Sequence, residues 1–359
     1  MLPAYVSRTE RILLFTALIF IIIIAVKMTA YVITIFLMAL FITLLVLPFQ
    51  YWLKKKGLSD LNAVLVITTV ATLVVLGILL LTVLSFNTLI SDLPQYQTEL
   101  NVRLQDLSAI FSSLGISSNP NGVPEINLAN ILSMGLVGVM SIFDGIMYLC
   151  FVGLTTFFML VEASNITGRL EQRFGKDSDT MQQLSRMTGY VSDFIVVRTE
   201  TNFIHGVLFG GFLGVMGVHG AIFWGVLTFI LGYIPYFGLI IAAVPAIFFA
   251  WIQFGIPGAL AVIAAVCVLN LVVENPVYSY LAARKFEMPA LIAILSVIFW
   301  GWLLGLVGML FSIPITLIVL LIFQMCDELR WINEVLGVSH LFDDAKGKKS
   351  DQLLLSQKD

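Results

Sequence analysis

Long apolar runs, almost free of charge, leave this chain one class of fold. They cover residues 12–26, 29–47, 61–86, 134–161, 203–218, 221–254, 257–282 and 290–325. A helix needs about 20 apolar residues to cross the hydrocarbon core of a bilayer, and only helices and closed barrels satisfy their own backbone there. The alternating segments of about ten residues that build an outer-membrane barrel are absent. With 59% hydrophobic and 11% charged residues, the chain is far more apolar than a soluble domain. The expected fold is all-α: a polytopic helical membrane protein with about eight hydrophobic segments.

Two of those segments are too long for one helix and are broken internally. Each contains Phe-Trp-Gly, as Phe223-Trp224-Gly225 and Phe299-Trp300-Gly301. Leu227 and Leu303 follow at one spacing and Gly232 and Gly308 at a second, before Ile234-Pro235 and Ile313-Pro314. Paired Gly/Pro-interrupted hydrophobic segments point to the binding region of a transporter. Their first arms are short for a full crossing, so both are read as re-entrant hairpins. Between them a single helix carries Glu274.

Lysine and arginine set the orientation. They gather at Lys54–Lys56, over residues 162–202, at Arg284-Lys285 and in the tail from residue 326, while residues 87–133 hold only Arg103. The positive-inside rule then places both termini in the cytoplasm and residues 87–133 outside. Each hairpin returns to the side it entered, so helix plus hairpin occurs twice in opposite orientation, an inverted repeat. Arg8 and Arg11 precede residues 12–26 as in a signal peptide, but no small-residue cleavage site follows, so this is read as a retained membrane helix.

The chain therefore divides into N-terminal transmembrane helices (1–86), an extracytoplasmic amphipathic region (87–133), a fourth transmembrane helix (134–161), a cytoplasmic amphipathic segment (162–202), a transport core with the two hairpins (203–325) and a cytoplasmic tail (326–359). In the outer region Leu93, Tyr96, Leu100, Leu104, Leu107 and Phe111 fall near helical spacing. Residues 164–198 read as polar helices on the membrane surface.

Glu274 is the sharpest candidate for chemistry. An ionised acid at the bilayer centre costs about 2.5–3.5 kcal/mol on insertion scales, so it must face a cavity, pair or stay protonated. Asn270 lies four residues earlier, on the same face of a regular helix; Asn275 and Pro276 follow. The hairpin tips add Tyr233, Pro235, Tyr236 and Gly238, with Ser312 and Pro314 in the second. Broken helices free backbone groups that line cavities or are buried in protein, and serine beside proline also serves simply to satisfy such groups. Gly206, Gly210 and Gly214 form a small-residue face for helix packing. Glu200, Asn202 and His205 mark either a cytoplasmic entrance or a helix start, and Asp144 a second pathway acid or a helix contact.

Other chemistries lack their motifs. There is no P-loop, His-Glu-x-x-His or Gly-x-Ser-x-Gly sequence. No basic stripe for nucleic acid is present. Cys150, Cys267 and Cys326 are isolated, without metal-ligand spacing. No enzyme activity, catalytic residue, metal or cofactor is expected.

The motifs resemble the autoinducer-2 exporter family of bacterial inner-membrane transporters, the PerM-like permeases. The resemblance lies in Tyr233-Ile-Pro-Tyr-Phe-Gly238 with Pro245, in Glu274-Asn275, in the run from Phe299 to Leu310 with Ile313-Pro314, and in the outer Leu93-Pro-Gln-Tyr96. It implies a multi-pass inner-membrane permease that forms a homo-oligomer, with a pentamer as one form. It implies export of a small polar solute, the quorum-sensing signal autoinducer-2 being a candidate, with proton or cation coupling as an option. The chain departs from the family's pattern at Gly232, where the family usually has asparagine, and at Tyr278-Ser279, where it often has Glu-Pro. A cation/proton antiporter, a passive channel and a non-transporting membrane scaffold stand as alternatives. A transporter should hold a polar cavity reaching Glu274, a scaffold a dry, paired contact.

Overall fold

The computed structural model describes residues 8–113, 142–176, 178–235, 237–274, 276, 288–326 and 328–338. Among these the chain is helical throughout. In order come α1 (Arg8–Met28), α2 (Ala30–Lys55), α3 (Asp60–Ser91), α4 (Leu93–Ser113), α5 (Ile142–Phe174), α6 (Asp179–Met216), α7 (Ala221–Leu231), α8 (Gly238–Leu269), a π-helical turn (Asn270–Glu274), α9 (Ala290–Leu310), α10 (Ser312–Met325) and α11 (Arg330–Val335). Five helical stretches are long and apolar enough to cross a membrane: α2, α3, Gly145–Ala163 of α5, α8 with its π turn, and α9. Leu13–Met28 of α1, α7 and α10 are apolar but shorter. This is a multi-pass helical membrane protein.

Three expected boundaries change. Residues 203–218 are not a separate crossing: 203–216 continue α6 without a break, and α6 is not among the five candidate spans. Residues 164–174 likewise extend α5 rather than forming a separate surface helix. The break between α5 and α6 comes at Gly175, whose φ of 84° ends one helix while its N–H bonds Glu171 O at 2.9 Å. Ser178 starts the next, its Oγ accepting the N–H of Met181 at 3.2 Å. Finally, residues 257–274 are not independent of the first hairpin, since α8 runs into them through a kink at Gly255.

The hairpins form as helix pairs, α7 with α8 and α9 with α10. At 11 residues, α7 is about 16 Å long, roughly half the hydrocarbon thickness. Two kinks require glycine: Gly255 has φ 70° and Gly305 has φ 68°. The kink at Gly255 frees carbonyls at the end of a helical run. Arg103 of α4 meets them, its Nε donating to Ile252 O at 3.1 Å and its Nη2 to Gln253 O at 3.3 Å.

The chain forms two compact units. The first comprises residues 1–61, 151–192 and 288–359, the second 62–150 and 193–287. In the first, α2 and α1 pack on α9, and α10 on α11. There Gln50 Nε2 reaches Leu160 O at 3.5 Å, and Asn333 Nδ2 donates to Leu320 O at 2.9 Å. The second unit is built on Tyr96, Leu100, Phe209, Leu213, Trp224, Phe249 and Ile252. Tyr96 stacks edge-on to Phe249, and burial, then Asp92 and Glu99, push its phenol well above the ordinary range.

The first hairpin closes because Gly238 has no side chain: a Cβ there would overlap the carbonyl oxygen of Leu231. Gly77 of α3 has open space at its Cβ position. Gly238→Ala should therefore destabilise the protein by about 2 kcal/mol, while Gly77→Ala should be neutral or stabilising by up to about 1 kcal/mol. Thermal unfolding of the two purified variants in one detergent checks the contrast, and equal midpoints would contradict it.

Candidate functional site

Polar side chains of the second unit converge on one face of α6. Arg198, Asn202 and His205 are spaced four and three residues apart, so they share a face of this helix. Glu200 points away and is exposed. By sequence Arg198 is one of the positive charges expected in the cytoplasm, and Asn202 and His205 mark an entrance or a helix start. Instead α6 begins at Asp179, and Asn202 and His205 are buried mid-helix, 1% and 3% exposed.

Arg198 joins two elements at once. Its Nη1 lies 2.9 Å from Glu274 Oε2 and 3.1 Å from Oε1, and its Nε donates to Gly232 O at 3.0 Å. One guanidinium thus holds the π turn and the tip of the first hairpin together. The arginine side chain is 13% exposed and the carboxylate 30%. Glu274 is therefore paired, as a scaffold contact would be, but not sealed from its surroundings.

The π turn gives Glu274 this position. Pro276 has no N–H to continue an α ladder, and the turn before it is wound as a π helix. The expectation that Asn270 and Glu274 share a face assumed α spacing. In the wider turn Asn270 is exposed, whereas Glu274 turns to Arg198.

The hairpin tip is held by its own hydrogen bonds and by α6. Gly232 N donates to Thr228 O at 2.9 Å, and Gly238 N to Ile234 O at 3.0 Å. Pro235 contributes its carbonyl, which accepts from Phe237 N at 2.7 Å. Tyr233 meets Thr199, their hydroxyls 2.7 Å apart. Because Thr199 gives its single hydroxyl proton to Ile195 O at 2.7 Å, Tyr233 is the donor to Thr199. At Gly232 a Cβ would stand 2.5 Å from Asn202 Oδ1, so the space of a side chain on the tip is occupied by the amide of α6.

Glycine contacts bring these elements within reach. A Cβ on Gly206 would lie 2.7 Å from Gly225 O, and one on Gly210 3.2 Å from the Gly225 Cα. Gly214 makes a looser approach, to Ala221 Cβ at 3.9 Å. Of the residues singled out from sequence, the structure thus gathers Glu274, Tyr233, Pro235, Gly238, Gly206 and Gly210 in one unit. Asn275 and Tyr236 lie outside the described residues. Asp144 sits in the first turn of α5. Ser312 and Pro314 belong to the other unit, where both are buried in α10. Nearby, Trp300 Nε1 donates to Thr316 Oγ1 at 2.9 Å.

The arrangement suits a reversible electrostatic latch and offers nothing of a nucleophile with its base. Among the described residues no cluster of histidine, cysteine, aspartate and glutamate could hold a metal ion. Arg198→Ala should leave the carboxylate without its counterion and cost about 3 kcal/mol, less than that if solvent reaches it. Arg198→Ala with Glu274→Ala should recover part of the loss. A double-mutant cycle on thermal unfolding should give a coupling of at least about 1 kcal/mol, and additivity would mean the pair does not bind the two elements.

Comparison with known proteins places this geometry in context. The profile described as AI-2E family transporter matches residues 12–327. The AI-2 transport protein TqsA of Escherichia coli is 32% identical over 71% of this chain and 76% of its own length. YhhT of the same organism, a transport protein by provisional assignment, is 27% identical over 75% of this chain and 77% of its own. A similarly assigned transport protein of Haemophilus influenzae is 30% identical over 63% and 67%.

Proposed function

Starting from a chain that belongs to the AI-2E transporter family, and so from a role in membrane transport, we propose that it exports a small polar solute past the Arg198–Glu274 pair. Autoinducer-2 is the first solute to test, because the name of TqsA carries it. The setting proposed is the bacterial inner membrane, with both termini cytoplasmic, on the strength of the lysine and arginine distribution. The chain acts as a transporter rather than as an enzyme, and as a homo-oligomer.

The observation that carries the mechanism is the double engagement of Arg198, with Glu274 on one side and Gly232 O on the other. While Glu274 is ionised, the arginine is held between π turn and hairpin tip, and the tip stays closed. A proton arriving at Glu274 removes the negative charge and turns the ion pair into a weaker hydrogen bond from the guanidinium to a neutral acid. Arg198 then has less to hold it, and the tip that depends on it is released. Loss of the proton restores the latch. Such a cycle couples solute movement to a proton gradient, with Tyr233–Thr199 as a neutral contact that keeps the tip in register.

The test is efflux of autoinducer-2 from proteoliposomes carrying the full chain, with and without a pH gradient. Wild type should exceed empty liposomes and respond to the gradient. Glu274→Gln, which fixes the neutral form, should abolish the pH response and lower gradient-driven efflux by about tenfold, the loss expected for roughly 1.4 kcal/mol. Unchanged flux and pH dependence in the variant would remove Glu274 from the mechanism. Flux without any pH response in wild type would leave an uncoupled channel.

A further inference from the structure

Residues 87–133 hold a single basic side chain, Arg103, and the structure gives it a definite task. Its guanidinium sits on the kink of α8. Nε donates to Ile252 O at 3.1 Å, Nη2 donates to Gln253 O at 3.3 Å, and a Cβ on Gly255 would stand 3.5 Å from Cζ. Nη1 meets Asp106 of its own helix at 3.3 Å. Arginine stays charged throughout the working pH range, so the contact does not titrate away from the arginine side. Helix α4 gives it a firm base. Tyr96 and Leu100 are wholly buried, in one core with Phe249 and Ile252 before the kink and Val262 beyond it.

The kink is the apex of two long arms. From Gly238 to Phe254 the first is about 25 Å long, and from Ile256 to Glu274 the second is about 28 Å. Yet their far ends meet one side chain. Arg198 binds both Glu274 and Gly232 O, and Gly232 lies against Gly238. The chain therefore doubles back at Gly255, with the latch at the mouth of the two arms. On levers of this length a change of about 10° at the apex moves the mouth by about 4 Å, more than a hydrogen bond survives.

We infer that Arg103 is a positioning residue for transport: from α4 it fixes the angle at Gly255, and through that angle it sets the closure of the latch at the far end. The inference rests on the proposed release of the tip at Arg198–Glu274. Two carbonyls at the end of a helical run, both turned to one cation, fix that end in place and in direction. Without the guanidinium they turn to other donors, and the first arm is free to swing about a glycine. His219 N, bonded to Gln253 Oε1 at 3.3 Å, still ties the apex to the turn after α6. As one contact to a side chain it leaves the direction of the arm unset. Helix α4 thus acts on a latch it does not touch.

The experiment measures the mouth directly. Spin labels go on Ile241→Cys and Leu271→Cys, exposed positions one turn from Gly238 and Glu274, in the full chain with Cys150, Cys267 and Cys326 replaced by serine. Wild type should give one narrow distance by double electron–electron resonance. Arg103→Met, which keeps the apolar stem and loses every donor, should lengthen or spread it by about 4 Å. Arg103→Lys, which keeps a cation at the end of the helical run, should retain most of the wild-type peak. Arg103→Gln, with one amide for two carbonyls, should widen it less, and it answers the question if the methionine variant does not fold. In proteoliposomes without a pH gradient Arg103→Met should raise efflux of autoinducer-2 by about tenfold, the weight of one charge-assisted hydrogen bond; mere structural damage would lower it. A distance distribution that is the same in wild type and the Arg103 variants would overturn the inference, as would a widened mouth without the leak. A widened mouth in a protein whose wild type moves no solute would sink the transport path and leave the hinge standing.

Discussion

A carboxylate and a guanidinium cannot sit alone in a chain this apolar, and the arrangement of the second unit follows from that constraint. Each ion separately would cost several kcal/mol to desolvate. Paired at 2.9 Å they compensate each other, but only if the two elements that carry them are held in fixed relation. The contact of Arg198 with Gly232 O adds a third element, the tip of the first hairpin. One side chain thus meets two groups on separate elements, a carboxylate and a backbone carbonyl. The price is sensitivity, since both contacts depend on the one arginine.

Side-chain volume decides whether such a latch can form. The backbones of α6 and α7 approach where Gly206 and Gly210 meet Gly225. Larger residues at these positions would force the two helices apart and take Arg198 away from the tip. The same economy recurs at Gly232, where the missing side chain leaves room for the amide of Asn202. Close packing by small residues is what membrane helices use where the hydrophobic effect gives no drive to associate. Here that packing also sets the distance over which the polar groups act.

Much of the fold was legible because glycine, proline and apolar length act locally. The breaks at Gly232–Pro235 and Gly305, and the short first arm of the first hairpin, follow from residues within a turn of each other. The continuity of α6 was not legible in the same way. Its polar first half and apolar second half look like two elements when hydropathy alone sets the boundaries, yet the helix runs through Gly189 and no proline lies between Asp179 and Phe203. Arg198 was obscured by a rule that counts positive charges without asking what they pair with. A signal was present: Arg198, Asn202, His205 and Gly206 lie along one face leading into the glycine stripe. The π turn was harder, because Pro276 announces a disturbance of the helix but not whether the chain kinks or widens.

The two Phe-Trp-Gly segments share a local design and divide the chemistry unequally. In each segment a glycine meets a backbone carbonyl across a bend, Gly238 against Leu231 in the first and Gly308 against Trp300, across the Gly305 kink, in the second. Beyond closure they diverge. In the first, the residues after Gly232 meet Thr199 and Arg198, and ionic groups are within reach. In the second, Gly308 is followed by Met309, Leu310 and Phe311; Trp300 bonds Thr316 there, and Lys27 lies over the ring of Trp302 at 4.0 Å. Two segments that share their bends but differ in their polar partners separate two tasks. The shared glycines maintain a bend, while the residues that differ decide whether the bend answers to charge. On that argument the first hairpin is the responsive one, and its responsiveness comes from α6, outside the repeated segment altogether.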